Sequence, residues 1–263
     1  MRDEFKNVKM IVTDMDNTLL RKDKTISAYT KSVLEKCVQM GIPFVFATAR
    51  AERVTRFVQP AKNGAYVIAN NGATTTLDGK QIYNAAIENA QALIFELNQD
   101  ELILDICLEL GDKMYTKKDP ELWEYRRTEW NASMYDFAKP LNDEANKVTK
   151  ILIESKNRKH VENFMARYPN IKMLANTGED WYMLSRADVS KMAGVKRLAS
   201  ILKIEVGDIL AFGDDYNDIE MLQGCGFSVA VENAVSEAKQ AAKYICKSNE
   251  DDGVAHFIEE KIL

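Results

Sequence analysis

The sequence predicts an α/β protein in which a doubly wound parallel-sheet core is interrupted by an inserted α+β domain. Three observations carry this. Apolar runs of strand length that end in polar residues occur in the first half of 9–20, at 43–50 and at 66–73, with helical patterns between them, which is the rhythm of a parallel sheet. From about residue 84 the rhythm changes to strands paired largely by hairpins, and at Lys191 the first rhythm resumes. The reading divides the chain into a core, first part (1–83), an inserted domain (84–186) and a core, second part (187–263).

The first run, Lys9-Met-Ile-Val-Thr13, is a buried strand that delivers Asp14 and Asp16 to its carboxyl end, the place where an open α/β sheet puts its chemistry. Thr25 or Ser27 caps a helix through Tyr29, Val33, Leu34 and Val38, and Gly41 ends it. The strand at 43–50 leads into a short helix from Ala51 to about Val58. Asp78-Gly79 reads as a hairpin turn. In the insertion we expect a helix over 85–97, strands within 102–110 and 113–116, an irregular aromatic stretch, a strand over 148–154, a helix over 158–168 and two further strands near 171–175 and 181–185. The second core part supplies a helix over 192–202, the strand 208–212, the polar loop Gly213-Asp-Asp-Tyr-Asn-Asp218 and strands near 227–231 and 244–246, with helices between them and at the end.

At 263 residues there is ample chain for a real core. The net charge of −5, with acids and bases interleaved, argues against a nucleic-acid surface, which shows a basic stripe. Cys37, Cys107, Cys225 and Cys246 form no CxxC pair, so a disulfide framework or zinc site is not expected. With no apolar run near membrane length and no signal-peptide core at the start, the expectation is a cytoplasmic protein that is not membrane-bound, a monomer or small homo-oligomer.

Asp14 and Asp16 repel each other unless a cation or proton compensates. Mg²⁺ fits, being held by one or two carboxylates plus a substrate phosphate. Asp-x-Asp-Asn-Thr is also ordinary turn and capping chemistry, so the remaining strand tips decide. Thr48 ends the second strand, Asp214, Asn217 and Asp218 follow Phe212, and Lys191 begins the helix that re-enters the core. A parallel sheet turns all of these tips toward one crevice.

On these residues the chain resembles the haloacid dehalogenase-like hydrolases, in particular the Cof-type, class IIB capped phosphatases. The motifs are Asp14-Met-Asp-Asn-Thr-Leu, Ala47-Thr-Ala-Arg50, Asn70-Asn-Gly-Ala73, Ser190-Lys191, Gly213-Asp-Asp-Tyr-Asn-Asp218, Asn233-Ala234 and Asp252-Gly-Val-Ala255. The resemblance implies a Rossmann-like core with an inserted cap, and Mg²⁺ as cofactor. It implies a phosphoric monoester hydrolase acting on a small phosphorylated metabolite, a sugar phosphate or phosphorylated cofactor, through an aspartyl phosphate. Asp14 then corresponds to the nucleophile and Asp16 to the general acid and base, whose negative neighbours should raise its pKa. Asp14, Asp214 and the Asp16 carbonyl correspond to metal ligands. Thr48, Ala49, Arg50, Lys191 and Asn217 hold the substrate, and Asn71, Gly72 and Asp218 support it.

The chain departs from the pattern at Asn17, Ala49, Met192 and Glu232, where glycine is more usual; asparagine tolerates the left-handed backbone such a turn requires. A hexose phosphomutase and a non-catalytic phosphosugar- or metal-sensing module are the alternatives. Substrate choice is expected from insertion residues such as Trp123, Arg126, Arg127, Glu179 or Trp181, and the tryptophans read more readily as core. Linkers near Tyr83 and Ala187 are expected to act as hinges.

Overall fold

The computed structural model describes residues 2–55, 66–119, 131–175 and 180–263. Trp123, Arg126, Arg127, Trp130 and Glu179 lie outside the described residues. Two compact units form, one from 1–50, 55–82 and 190–263, the other from 51–54 and 83–189. The sequence-based boundaries fall at 83/84 and 186/187; by contacts, Tyr83, residues 187–189 and the distant segment Ala51–Val54 all join the second unit.

The strands, in chain order, are β1 (Met10–Thr13), β2 (Phe44–Ala47), β3 (Tyr66–Ala69), β4 (Thr74–Leu77), β5 (Lys80–Asn84), β6 (Asp105–Glu109), β7 (Met114–Thr116), β8 (Ala132–Met134), β9 (Lys150–Glu154), β10 (Ile171–Ala175), β11 (Trp181–Arg186), β12 (Ile209–Gly213), β13 (Phe227–Val231) and β14 (Tyr244–Cys246). In the first unit the sheet order is β14-β13-β12-β1-β2-β3-β4-β5. All pairs from β14 to β3 are parallel, and β4 returns antiparallel to β3. Asp78 and Gly79, both at positive φ (49° and 77°), make the β4–β5 turn, as a two-residue hairpin of the right twist requires.

Both faces of this sheet are covered, which is why its strands are continuous apolar runs without alternation. Ile11, Phe44, Phe46, Leu210 and Phe212 pack with Val33, Leu34, Phe257 and Ile258 on one face. Met10, Val12, Val45, Ile68 and Ala211 pack with Met192, Val195, Leu198 and Met221 on the other. Ser27 caps the helix Ala28–Gln39 by accepting from the Thr30 N–H, and Gly41 takes φ 76° just beyond its end.

The second unit is a six-stranded sheet, β10-β11-β9-β6-β7-β8, with the helices Ala90–Gln99 and Arg158–Met165 sharing one core with its apolar face. The remaining pairs are antiparallel and the β7–β8 pair is parallel; the strand Ala132–Met134 is a correction, since it lies in the stretch read as irregular. The first helix begins at Ala90, not Ala85, because Asn89 is left-handed (φ 55°) and the Ile87 N–H is spent on the Val148 carbonyl. Arg53 binds Glu109 through two hydrogen bonds of 2.6 and 3.1 Å, both side chains almost fully buried.

One buried acid in this unit is poorly served. Asp105, at 0% exposure, accepts from the N–H groups of Ile106 and Lys118 on Oδ1, while Oδ2 has no partner among the described residues. Burial holds its carboxyl above the usual range, although those N–H groups pull it down. A folded-state pKa above the unfolded value near 3.8 favours folding below that value, and the contribution is lost as pH rises through the folded one. Asp105→Asn keeps the acceptor and removes the buried charge. Thermal unfolding should show it more stable than the parent by roughly 1 kcal/mol at pH 7, with the difference gone near pH 3.

Candidate active site

Strand β1 lies between β12 and β2 at the middle of the sheet, so its carboxyl end is flanked by two neighbouring strand tips. The Asp14 N–H continues the ladder to the Phe212 carbonyl at 3.0 Å, which places Asp14 beside the loop that starts at Gly213. Asp14, Asp214 and Asp218 bring carboxylate oxygens within 4.8 Å of one another, all three residues buried. A side chain at position 213 is excluded because an added Cβ would sit 2.5 Å from the Asp218 Cβ. Asp218 therefore folds under its own loop, and its Oδ2 accepts from the N–H groups of Asp214 and Asp215 at 3.0 and 3.2 Å.

Lys191 completes the cluster. Its Nζ donates to Asp14 Oδ1 at 2.6 Å and to Asp218 Oδ1 at 2.7 Å, at 2% exposure. The side chain opens the helix Lys191–Leu202, whose N-cap Ser190 accepts from the Ala193 N–H. A cation at a helix N-terminus opposes the macrodipole, so the two carboxylates are what make this placement stable. Burial would lower the lysine pKa, but Asp14 and Asp218 outweigh it and hold the ammonium charged.

Three carboxylates facing one ammonium leave an excess of negative charge. Burial, reinforced by Asp218 and Asp214 and opposed by Lys191, holds Asp14 well above the carboxylate range. Asp214 is pushed up to about 6 by burial, against the pull of the Thr18 hydroxyl that donates to its Oδ1 at 2.6 Å. Both Asp218 oxygens are taken, whereas Asp14 Oδ2 and Asp214 Oδ2 carry no hydrogen bond among the described residues. A compact, buried, all-oxygen donor set with surplus negative charge fits a hard divalent cation such as Mg²⁺.

Asp16 stands apart, and here the sequence expectation is corrected. Its carboxylate is not in the acidic cluster. Arg50 donates to Oδ2 through Nε at 2.6 Å and to Oδ1 through Nη2 at 2.5 Å, and Lys24 Nζ reaches Oδ1 at 2.8 Å. Burial raises its pKa, but these two cations overcome it, and the carboxyl is held below its usual range instead of above it. The negative neighbours invoked from sequence are outbid by cations that spacing alone did not reveal. Asn17, in the position where glycine was missed, adopts φ 60°, the left-handed geometry that asparagine tolerates.

The other candidates form a second layer. Buried Thr48 accepts from the Arg50 N–H on Oγ1 at 3.1 Å, and its carbonyl accepts from the Asn71 N–H. Ala49 is exposed between them. Asn70, Asn71 and Gly72 all have positive φ (50°, 54° and 95°), a run that is costly outside glycine and is held here by burial and backbone bonds. Asn217 Nδ2 donates to Asn71 Oδ1 at 3.1 Å, and an added Cβ at Gly72 would lie 2.1 Å from the Ser190 carbonyl. Thr18, Lys24, Ser190 and Arg197, which donates to the Gly72 carbonyl at 2.6 Å, are the site residues not singled out from sequence. For Thr18 and Ser190 the signal was present, since each lies in or beside a quoted motif.

The comparisons agree with this architecture. A family model described as haloacid dehalogenase-like hydrolase matches residues 11–258. The chain belongs to that family. Among curated proteins it is similar to the 5-amino-6-(5-phospho-D-ribitylamino)uracil phosphatase YwtE of Bacillus subtilis, 27% identical, with 96% of this chain and 98% of that one covered. It is likewise similar to YbjI of Escherichia coli, named for the same activity, 29% identical over 98% of this chain and 97% of that one. Among solved structures, a haloacid dehalogenase-like hydrolase from Bacteroides thetaiotaomicron has the same fold, with a TM-score of 0.82, 24% identity and coverage of 96% and 99%. No helix among the described residues is long and apolar enough to cross a membrane.

Proposed function

We propose that the protein is a Mg²⁺-dependent phosphatase that hydrolyses small phosphomonoesters through a phosphorylated Asp14. The observation that carries this reading is the Lys191 ammonium, bonded at once to Asp14 and Asp218 beneath a buried excess of carboxylate. In the first step Asp14 Oδ2 attacks phosphorus, the P–O ester bond breaks, and the leaving alcohol takes a proton from Asp16. In the second, Asp16 takes a proton from water, the hydroxide attacks phosphorus, and phosphate leaves as the Asp14 carboxylate returns. Lys191 holds the Asp14 oxygen that does not attack and stays charged as negative charge gathers on the phosphoryl oxygens.

Thr48, the Ala49 backbone, Arg50 and Asn217 serve as phosphate holders, with Asn71, Gly72 and Asp218 fixing their positions. Asp14, Asp214 and the Asp16 carbonyl would hold Mg²⁺, which supplies positive charge to phosphoryl oxygens. A phosphate ester that engages Arg50 weakens the grip on Asp16 and frees it to carry a proton.

Phosphate release should be measured on sugar phosphates, flavin mononucleotide, pyridoxal phosphate and 5-amino-6-(5-phospho-D-ribitylamino)uracil. At least one is expected to turn over. Excess chelator should reduce that rate by about 10² or more, and Mg²⁺ should restore it. A rate indifferent to chelator would defeat the metal assignment.

A further inference from the structure

The cations that grip Asp16 have a consequence for substrate choice. Lys24 is presented by a closed turn: the Arg21 N–H donates to the Thr25 carbonyl at 3.0 Å, the Lys24 N–H to the Arg21 carbonyl at 2.9 Å, and Asp23 accepts from both the N–H and the hydroxyl of Thr25. Within it Lys24 takes φ 65°, uncommon for a residue other than glycine or asparagine. The turn thus sets the direction in which the Lys24 side chain leaves the backbone. Its side chain is 49% exposed and its Nζ lies 2.8 Å from Asp16 Oδ1.

If Asp16 protonates the leaving oxygen, whatever stands beside Asp16 also stands beside the first carbons of the leaving alcohol. We propose that Lys24 selects phosphomonoesters whose leaving alcohol bears a second anionic group, a carboxylate or another phosphate, within about two carbons of the ester oxygen. The Asp16 carboxylate, held by both cations, occupies in the free enzyme the place that such an anion takes. This inference rests on the phosphatase reading above.

The test compares kcat/KM for 3-phosphoglycerate and glycerol 3-phosphate, which differ by a carboxylate in place of a hydroxymethyl group. The parent enzyme should prefer the carboxylate, and Lys24→Met should lower the preference about fivefold, the upper end for a half-exposed ion pair. Lys24→Arg should restore it, and added salt should erode it in the parent. Lys24→Gly, which suits the positive φ, should match Lys24→Met and so separates the ammonium from the turn's conformation. An unchanged ratio in both Lys24→Met and Lys24→Gly, or a parent that prefers the neutral ester, overturns the inference while leaving the phosphatase reading intact. No turnover of either ester or of the wider panel overturns both.

Discussion

Asp14→Asn should abolish turnover, lowering kcat by about 10⁴ or more, because an amide cannot act as the nucleophile and the remaining groups have no substitute for it. The folded protein should tolerate the change. Asp14 is one of three buried carboxylates facing one ammonium, and its amide isostere removes negative charge that burial already disfavours. Steady-state assays and thermal unfolding on the same preparations check both halves. Rapid quenching with ³²P-labelled substrate should leave label on the parent protein, labile to hydroxylamine as an acyl phosphate is, and none on the variant. Turnover that survives in Asp14→Asn rejects the mechanism.

Lys191→Met should fail in the opposite way, losing stability together with activity. The ammonium is 2% exposed and is the shared partner of Asp14 and Asp218, so its removal leaves two carboxylates buried against each other. Breaking such a buried pair from one side costs about 3–5 kcal/mol, and loss of the fixed charge at the phosphoryl group should reduce kcat by about 10³ or more. The double variant Lys191→Met/Asp218→Asn should recover part of the stability and none of the activity. That non-additivity would show that the stability cost comes from stranded charge and not from lost packing. Equal melting of Lys191→Met and parent would contradict the geometry.

The contrast between these variants bears on what could be read from sequence. The strands of the first unit were legible because burial on both faces leaves an uninterrupted apolar run, and Asp78-Gly79 and Ser27 announced a turn and a cap by chemistry that acts within a few residues. The convergence of strand tips in a parallel sheet, together with the family resemblance, likewise indicated Asp14, Lys191 and Asp214 as neighbours, although spacing alone would have left Lys191 as a solvated helix-start lysine. What stayed hidden depends on choices made across the tertiary structure. Asp16 could pair with other acids or with bases, and Arg50 and Lys24 took it. Asp218, by contrast, does what was read for it, supporting Lys191 from a place that Gly213 leaves open. The start of the helix Ala90–Gln99 was displaced by a left-handed Asn89, and the parallel β7–β8 pair had no local signature.

The pairing of β1 with β12, a strand that begins at residue 209, also has a meaning for biosynthesis. During synthesis Asp14 emerges 177 residues ahead of Lys191, its buried ion-pair partner, and further still ahead of Asp214 and Asp218. Contacts this distant along the chain form late and slowly, whereas the strands of residues 83–189 find their partners within their own segment. The acidic cluster therefore cannot assemble during synthesis until the segment bearing Lys191, Asp214 and Asp218 has joined the segment that bears Asp14.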